Sequence, residues 1–236
     1  AEKLIRELNA PFLKQLKTGL PWVHAKWAMT LDGKIATRTG ASKWISCEAS
    51  RQRVHLLRGR MDAIMVGAGT VRADDPLLTV RVPGPRTPVR VVVDSEATLS
   101  LDSQLVRTVN EAPVLLAVSE RAPAERVDRL RAAGVEVIVV GSADGRVDLT
   151  VLMQELGRRS MTNVLIEGGG ELFGAAFDLE LVDEAHIFVA PKFAGGASAV
   201  TPVGGVGVEV IPEACQLKGQ TVEQVGYDIY IRGRLR

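Results

Sequence analysis

A chain of 236 residues, 46% apolar and 24% charged, can bury a substantial core as one large α/β domain or two small ones. Its 29 basic and 28 acidic residues leave a net charge of +1, so no broad field draws it to nucleic acid or a membrane, and an anionic ligand has to be caught by a few placed arginines. Cys47 and Cys215 form no CxxC and no disulfide framework; with no membrane-length apolar run and no signal-peptide pattern, the cytoplasm is the expected location.

Residues 1–20, AEKLIRELNAPFLKQLKTGL, are mixed helical and basic and read as an entry segment. WVHAKWAM follows as a strand, and Asp32-Gly33 marks a reversal. SCEASRQRVHLLRGR reads as a helix with Ser46 as its N-cap and Glu48 complementing the first-turn dipole. Short Val/Ile-rich runs come next: AIMVG, VRVVVD, PVLLAV, VEVIVV, NVLIEGG and EAHIFVAP, the pattern of strands buried on both faces. Helical patterns around 123–133, 148–159 and 170–178 separate several of them, which predicts an α/β sheet with much parallel content. The alternating ending QTVEQVGYDIYIRGRL predicts antiparallel edge strands, so the sheet is mixed. The loop GPRTP at 84–88 and the segment AGGASAVTPVGGVGV read as surface connections, which favours one domain.

Chemistry concentrates at two glycine-bearing strand ends. In LIEGGGELFGAAF, residues 165–177, a strand ends at Glu167, three glycines follow and a helix begins. Outward-facing backbone N–H groups and the helix dipole suit a pyrophosphate there, although the same glycines would serve a tight strand–helix turn. The Rossmann fingerprint is absent, because Phe173 stands where GxGxxG needs its last glycine, and there is no Walker A motif. Glu167 is costly to desolvate at the end of an apolar strand unless something pairs with it or it caps the helix. The stretch MDAIMVGAGTVRADDPLLTVR, residues 61–81, repeats the design: a strand, Gly67-Ala68-Gly69, then Thr70 and Asp74. Two such ends are expected to approach one nucleotide-like ligand in a shared crevice. Arg58 and Arg81 then become candidates for a substrate phosphate, against the bland reading of solvated surface groups. Ser42 and Trp44 in GASKWIS add a hydroxyl and an aromatic face, and Trp44 would equally serve as core. His24, His55 and His186 are isolated, without ligand spacing, so no metal site and no catalytic histidine is expected. The lack of HxE with PCxxC excludes a zinc-dependent nucleobase deaminase.

Together, KWAMTLDGKIAT, GASKWIS, VHLLRGRMDAIMVGAGTVRADDPLLTVR, VVVDS and VLIEGGGELFGAAF…LVDEAHIFVAPKFAGG resemble the reductase domain of riboflavin biosynthesis, the C-terminal half of a bifunctional bacterial deaminase-reductase. The resemblance runs from about residue 20 to the C-terminus, which makes 1–20 a linker and 21–236 the reductase domain. It implies a dihydrofolate-reductase-like α/β fold, a homodimer, and reduction by NADPH of a ribosylaminopyrimidine phosphate to its ribitylamino product. By resemblance, Ala28, Trp44, Thr70, Asp74 and Ser95 contact NADPH, and Gly169, Gly170, Glu171, Leu172, Phe173, Gly174 and Ala175 hold its pyrophosphate. Ser42, Arg58, Leu78, Arg81 and Glu167 match substrate positions. Lys26 and Asp32 are the candidates for proton transfer, with orientation and turn-making as their alternative roles. A first residue other than methionine fits a reductase half separated from a covalently linked deaminase domain. The substrate is then 5-amino-6-(5-phosphoribosylamino)uracil. The alternatives are the undeaminated 2,5-diamino pyrimidinone, a dihydrofolate-type reduction, or a non-catalytic nucleotide-binding module.

Overall fold

The structure is a computed structural model and describes residue 5, residues 7–81 and residues 86–235. Part of the GPRTP loop and part of the leading segment lie outside the described residues. The chain divides into two compact units, one of Ala1–Trp22 with Arg58–Leu165 and one of Val23–Leu57 with Ile166–Arg236.

The first unit carries α1 (Ala10–Thr18), β2 (Ala63–Gly67), α3 (Ala68–Asp74), β3 (Val89–Val93), α4 (Gln104–Arg107), β4 (Val114–Val118), α5 (Ala124–Ala132), β5 (Glu136–Val139) and α6 (Leu149–Arg158). Strands β2, β3, β4 and β5 pair in that order, all parallel. Their side chains are mostly apolar, and Ile64, Val66, Val92, Leu116 and Val118 meet Leu105, Val127 and Leu130 in one buried cluster. Helix α6 starts as its sequence dictates, with the Asp148 carboxylate accepting from the N–H groups of Thr150 and Val151 at 2.8 and 3.0 Å. The leading segment is fastened by close approach: a Cβ on Gly157 would lie 1.8 Å from the Gly19 carbonyl oxygen.

One element here differs from the expectation. Gly67-Ala68-Gly69 is not a glycine turn; β2 runs directly into helix α3, with Gly67 as its N-cap at φ −83 and ψ 157. Neither Gly67 nor Gly69 takes a positive φ. The helix is only seven residues long and carries Gly69 inside its first turn, so its periodicity is too short to read. α4, a four-residue helix capped by Ser103, was likewise outside the sequence pattern.

β6 (Asn163–Glu167) leads out of the first unit into the second. The second unit holds β1 (Trp22–Thr30) from Val23 on, most of α2 (Glu48–Arg58), α7 (Gly170–Asp178), β7 (Glu184–Ala190), β8 (Lys218–Val225) and β9 (Asp228–Arg234). β1 pairs with β7 in parallel, β9 runs antiparallel to β7, and β8 antiparallel to β9, as the alternating ending predicted. The fold is thus mixed α/β, mostly parallel with antiparallel C-terminal strands. Val54 of α2 packs on Phe188 and Tyr230. The expected N-cap of α2 is corrected: the helix begins at Glu48, and the buried Asp228 carboxylate serves its start. Asp228 accepts from the Cys47 N–H at 2.8 Å and from the Ser50 hydroxyl at 2.6 Å. A cap supplied from 181 residues away leaves no local signal.

Candidate active site

In the second unit, Glu167 ends β6 almost fully buried, 8% exposed. Its cost of desolvation is offset as the sequence argument requires, by Lys26 on β1, whose Nζ lies 3.8 Å from the carboxylate. Ala28, two residues on, is half-buried and packs against the Val54–Phe188–Tyr230 cluster.

Past Glu167 the backbone turns through Gly168 and Gly169 at φ +93 and +90, a region that side chains other than glycine rarely enter. Gly169 then stands as the N-cap of α7 with no side chain to accept from the first turn. The uncapped N–H groups and the helix dipole make this turn a fit for an anion such as a pyrophosphate. Gly174 answers to packing: a Cβ there would lie 2.3 Å from the Gly205 nitrogen, so α7 and the 204–205 backbone could not approach as they do. Leu172 and Phe173 are buried, with Phe173 edge-on to Trp27 at 5.6 Å between ring centroids. These two can offer a ligand only their backbone. Glu171 is exposed and Ala175 half-buried.

Asp32 is a turn-maker by geometry. Its carboxylate accepts from the Thr30 hydroxyl at 2.6 Å and from the Ala194 and Gly195 N–H groups at 3.1 and 2.7 Å. Those three donors, the Thr30 hydroxyl foremost, pull its pKa down to about 2. An acid that strong holds no proton near neutral pH. Because the folded pKa lies below the unfolded one, the stabilisation is complete above pH ~4 and fades as pH falls toward 2. Asp32→Asn should therefore have a lower urea midpoint than the parent near neutral pH, with the gap closing across that acid window. A gap constant with pH would show that the charge is irrelevant.

Trp44 is not core. It is 63% exposed, with the Arg51 guanidinium 4.7 Å above its ring. Its segment is tied down by Lys192, which sequence reasoning missed; the ammonium donates to the carbonyls of Trp44 and Ile45 at 2.9 and 2.8 Å. A lysine two residues past the end of a buried strand was the available signal. Ser42 is half-buried nearby in sequence.

In the first unit, Thr70 and Asp74 are half-buried and four residues apart on α3, hence on one helix face. The Arg58 guanidinium donates to the Thr79 carbonyl at 3.2 Å, which links it to the segment bearing Leu78 and Arg81. Leu78 takes φ +53 with its side chain 3% exposed in the core cluster. A leucine in the left-handed region is strained by its Cβ, and with its side chain buried it presents backbone. Arg81 is exposed at the end of this segment. The Ser95 hydroxyl accepts from the Val147 N–H at 3.2 Å and its carbonyl from the Ser119 hydroxyl at 2.9 Å.

Burial and the neighbouring His24 push His186 down to about 3, so it remains neutral at working pH. Isolated in sequence, His24 and His186 nevertheless meet at 3.1 Å.

The RibD C-terminal domain family matches residues 21–231. The chain is similar to riboflavin biosynthesis protein RibD of Actinobacillus pleuropneumoniae, 42% identical over 235 residues, covering 98% of this chain and 62% of that protein. It is 43% identical over 215 residues to the 2,5-diamino-6-ribosylamino-4(3H)-pyrimidinone 5′-phosphate reductase of Methanothermobacter thermautotrophicus, covering 89% of this chain and 96% of that protein. Among solved structures, Acinetobacter baumannii RibD superposes with a TM-score of 0.84 at 31% identity, covering 99% of this chain and 63% of that one. The chain thus spans less than two thirds of the RibD proteins it resembles, and the likeness to the solved RibD structure carries the mixed α/β fold. A chain matched along nearly its whole length by this family's model, and by relatives above 40% identity, belongs to the RibD C-terminal domain family, the reductase family of riboflavin biosynthesis.

Proposed function

We propose that this chain reduces 5-amino-6-(5-phosphoribosylamino)uracil to its ribitylamino product with NADPH, in riboflavin biosynthesis. The observation that carries the reading is the shielded Lys26–Glu167 pair, 3.8 Å apart, immediately before the uncapped glycine start of α7. A proton source and an anion-holding turn are what reduction of a sugar by a dinucleotide requires of the protein. Residues 21–236 are assigned to the reductase domain and 1–20 to its linker; the family match over 21–231 supports this.

A nicotinamide cofactor, when bound, supplies the hydride that C1′ of the opened sugar accepts. The α7 turn from Gly169 to Ala175 holds the pyrophosphate through backbone N–H groups, with Ala28, Trp44, Thr70, Asp74 and Ser95 as further cofactor contacts. Arg58 and Arg81 hold the substrate phosphate, and Ser42, the Leu78 backbone and Glu167 orient the sugar. Lys26 delivers the proton to the departing ring oxygen, while Asp32, deprotonated and accepting from three donors, fixes the adjoining turn. The chain acts as a cytoplasmic homodimer, and a deaminase domain on the same polypeptide would supply the uracil substrate.

NADPH oxidation followed at its absorbance band tests this. Turnover is expected with the ribosylaminouracil phosphate, far less with dihydrofolate, and less with NADH. One observation favours a second substrate: the Methanothermobacter reductase, matched along 96% of its length, is named for the undeaminated 2,5-diamino pyrimidinone. Faster turnover of that compound would select it. Cofactor binding without turnover on either phosphate would leave a nucleotide-binding module instead. Arg81→Ala should weaken substrate binding by roughly 1.5–3 kcal/mol, the worth of a charge-assisted hydrogen bond, and leave cofactor affinity intact. An unchanged KM removes Arg81 from the phosphate site.

A further inference from the structure

Within the second unit, three buried polar side chains converge at a place the reductase reading does not use. His24 of β1 and Glu184 and His186 of β7 are 6%, 3% and 2% exposed. The parallel register sets His24 opposite Glu184, so both point to one face of the strand pair, and His186, two residues on, shares it. His24 Nδ1 lies 3.1 Å from His186 Nε2, and that nitrogen lies 3.4 Å from Glu184 Oε1. All three donor atoms fall within 4.8 Å of one another.

We propose that His24 Nδ1, His186 Nε2 and Glu184 Oε1 are the three protein ligands of a binding site for a borderline divalent metal ion, zinc in chemical class, with a water as fourth ligand. Two imidazoles and a carboxylate are a donor set suited to such an ion. Bonds of about 2.0–2.1 Å in a tetrahedral shell put neighbouring ligand atoms roughly 3.3–3.4 Å apart, and the two short separations of 3.1 and 3.4 Å lie close to that edge. The outer groups orient the ligands. His186 Nδ1 lies 2.7 Å from the Tyr230 hydroxyl, so donation of that ring N–H to the phenol oxygen leaves Nε2 with its lone pair toward the ion. Arg232, opposite His186 in the β7–β9 register, fixes the Glu184 carboxylate through its Nε. Burying two imidazoles and a carboxylate this close costs more than an apolar sheet face of equal volume would; Arg232, bound to the same Glu184 oxygen, and Tyr230 offset part of that cost, and a shared cation would add to them. The ion would fasten β1 to β7, the pair on which Lys26 is carried.

The purified chain, stripped with a chelator and dialysed, is titrated with Co²⁺ and separately with Zn²⁺. One equivalent of Co²⁺ with the visible absorption of a four-coordinate N/O site, displaced by Zn²⁺, is the expected result. His24→Phe and His186→Phe should lose it, and Glu184→Gln should bind 10–100-fold more weakly, with circular dichroism unchanged. Since these variants can fail to fold, anomalous diffraction at the zinc edge from unsubstituted protein provides the second readout. A zinc peak between the three side chains supports the site. No stoichiometric metal, or a peak elsewhere, overturns it.

Discussion

Lys26→Met should lower kcat by roughly 10²–10⁴-fold, the usual worth of a positioned proton donor, with cofactor affinity nearly unchanged. Methionine keeps the apolar stem of the lysine, so the packing of a side chain that is 17% exposed is largely preserved. What disappears is the ammonium 3.8 Å from Glu167, and with it both the proposed proton source and the charge that steadies a carboxylate side chain 7% exposed. Two effects are thus combined, and they separate experimentally. Glu167→Gln retains the ammonium and removes the orienting charge, so its loss should appear in KM as well as kcat, whereas Lys26→Arg should recover charge pairing without efficient proton delivery. Steady-state kinetics with cofactor affinity measured by fluorescence checks all three. Full activity in Lys26→Met would remove the residue from proton transfer and leave its pairing with Glu167 as a purely structural contact.

Arg90→Met should destabilise the protein by roughly 3–5 kcal/mol, a large share of a domain's net stability. Arg90 stands in β3 with no exposed surface. Its guanidinium donates to the Leu77 carbonyl at 3.2 Å, to the Thr108 hydroxyl and carbonyl at 2.7 and 2.8 Å, and to the Ala112 carbonyl. These acceptors close the chain after α4 and anchor the segment before Leu78. Methionine fills much of the volume but leaves the carbonyls without that donor, a desolvation cost of about 1–3 kcal/mol for each one that stays unpaired. Urea unfolding followed by circular dichroism measures the loss. Because Leu77 adjoins Leu78, KM for the phosphorylated substrate should rise as well. A loss below 1 kcal/mol would mean that water or a rearranged turn replaces the guanidinium.

Strands β1 to β7 and helices α5, α6 and α7 were legible from the chain alone, because apolar periodicity and glycine punctuation are local properties. So were the motifs that point to a reductase, and the need of Glu167 for a partner. The sequence could not name that partner. Lys26 is 141 positions away, and only the tertiary arrangement makes it the neighbour. The same holds for Arg90, which reads as one charged letter in a strand of valines until its acceptors are known, and for Asp228 at the start of α2. Helix α3 escaped notice because seven residues with a glycine in the first turn cannot display a period. Glu184 and His186 share a strand face by their two-residue spacing, but only the β1–β7 register sets His24 beside them. Backbone preference acts over a few residues and is written in the sequence; pairing of buried charge is decided by which strands lie together, and that is a property of the folded molecule.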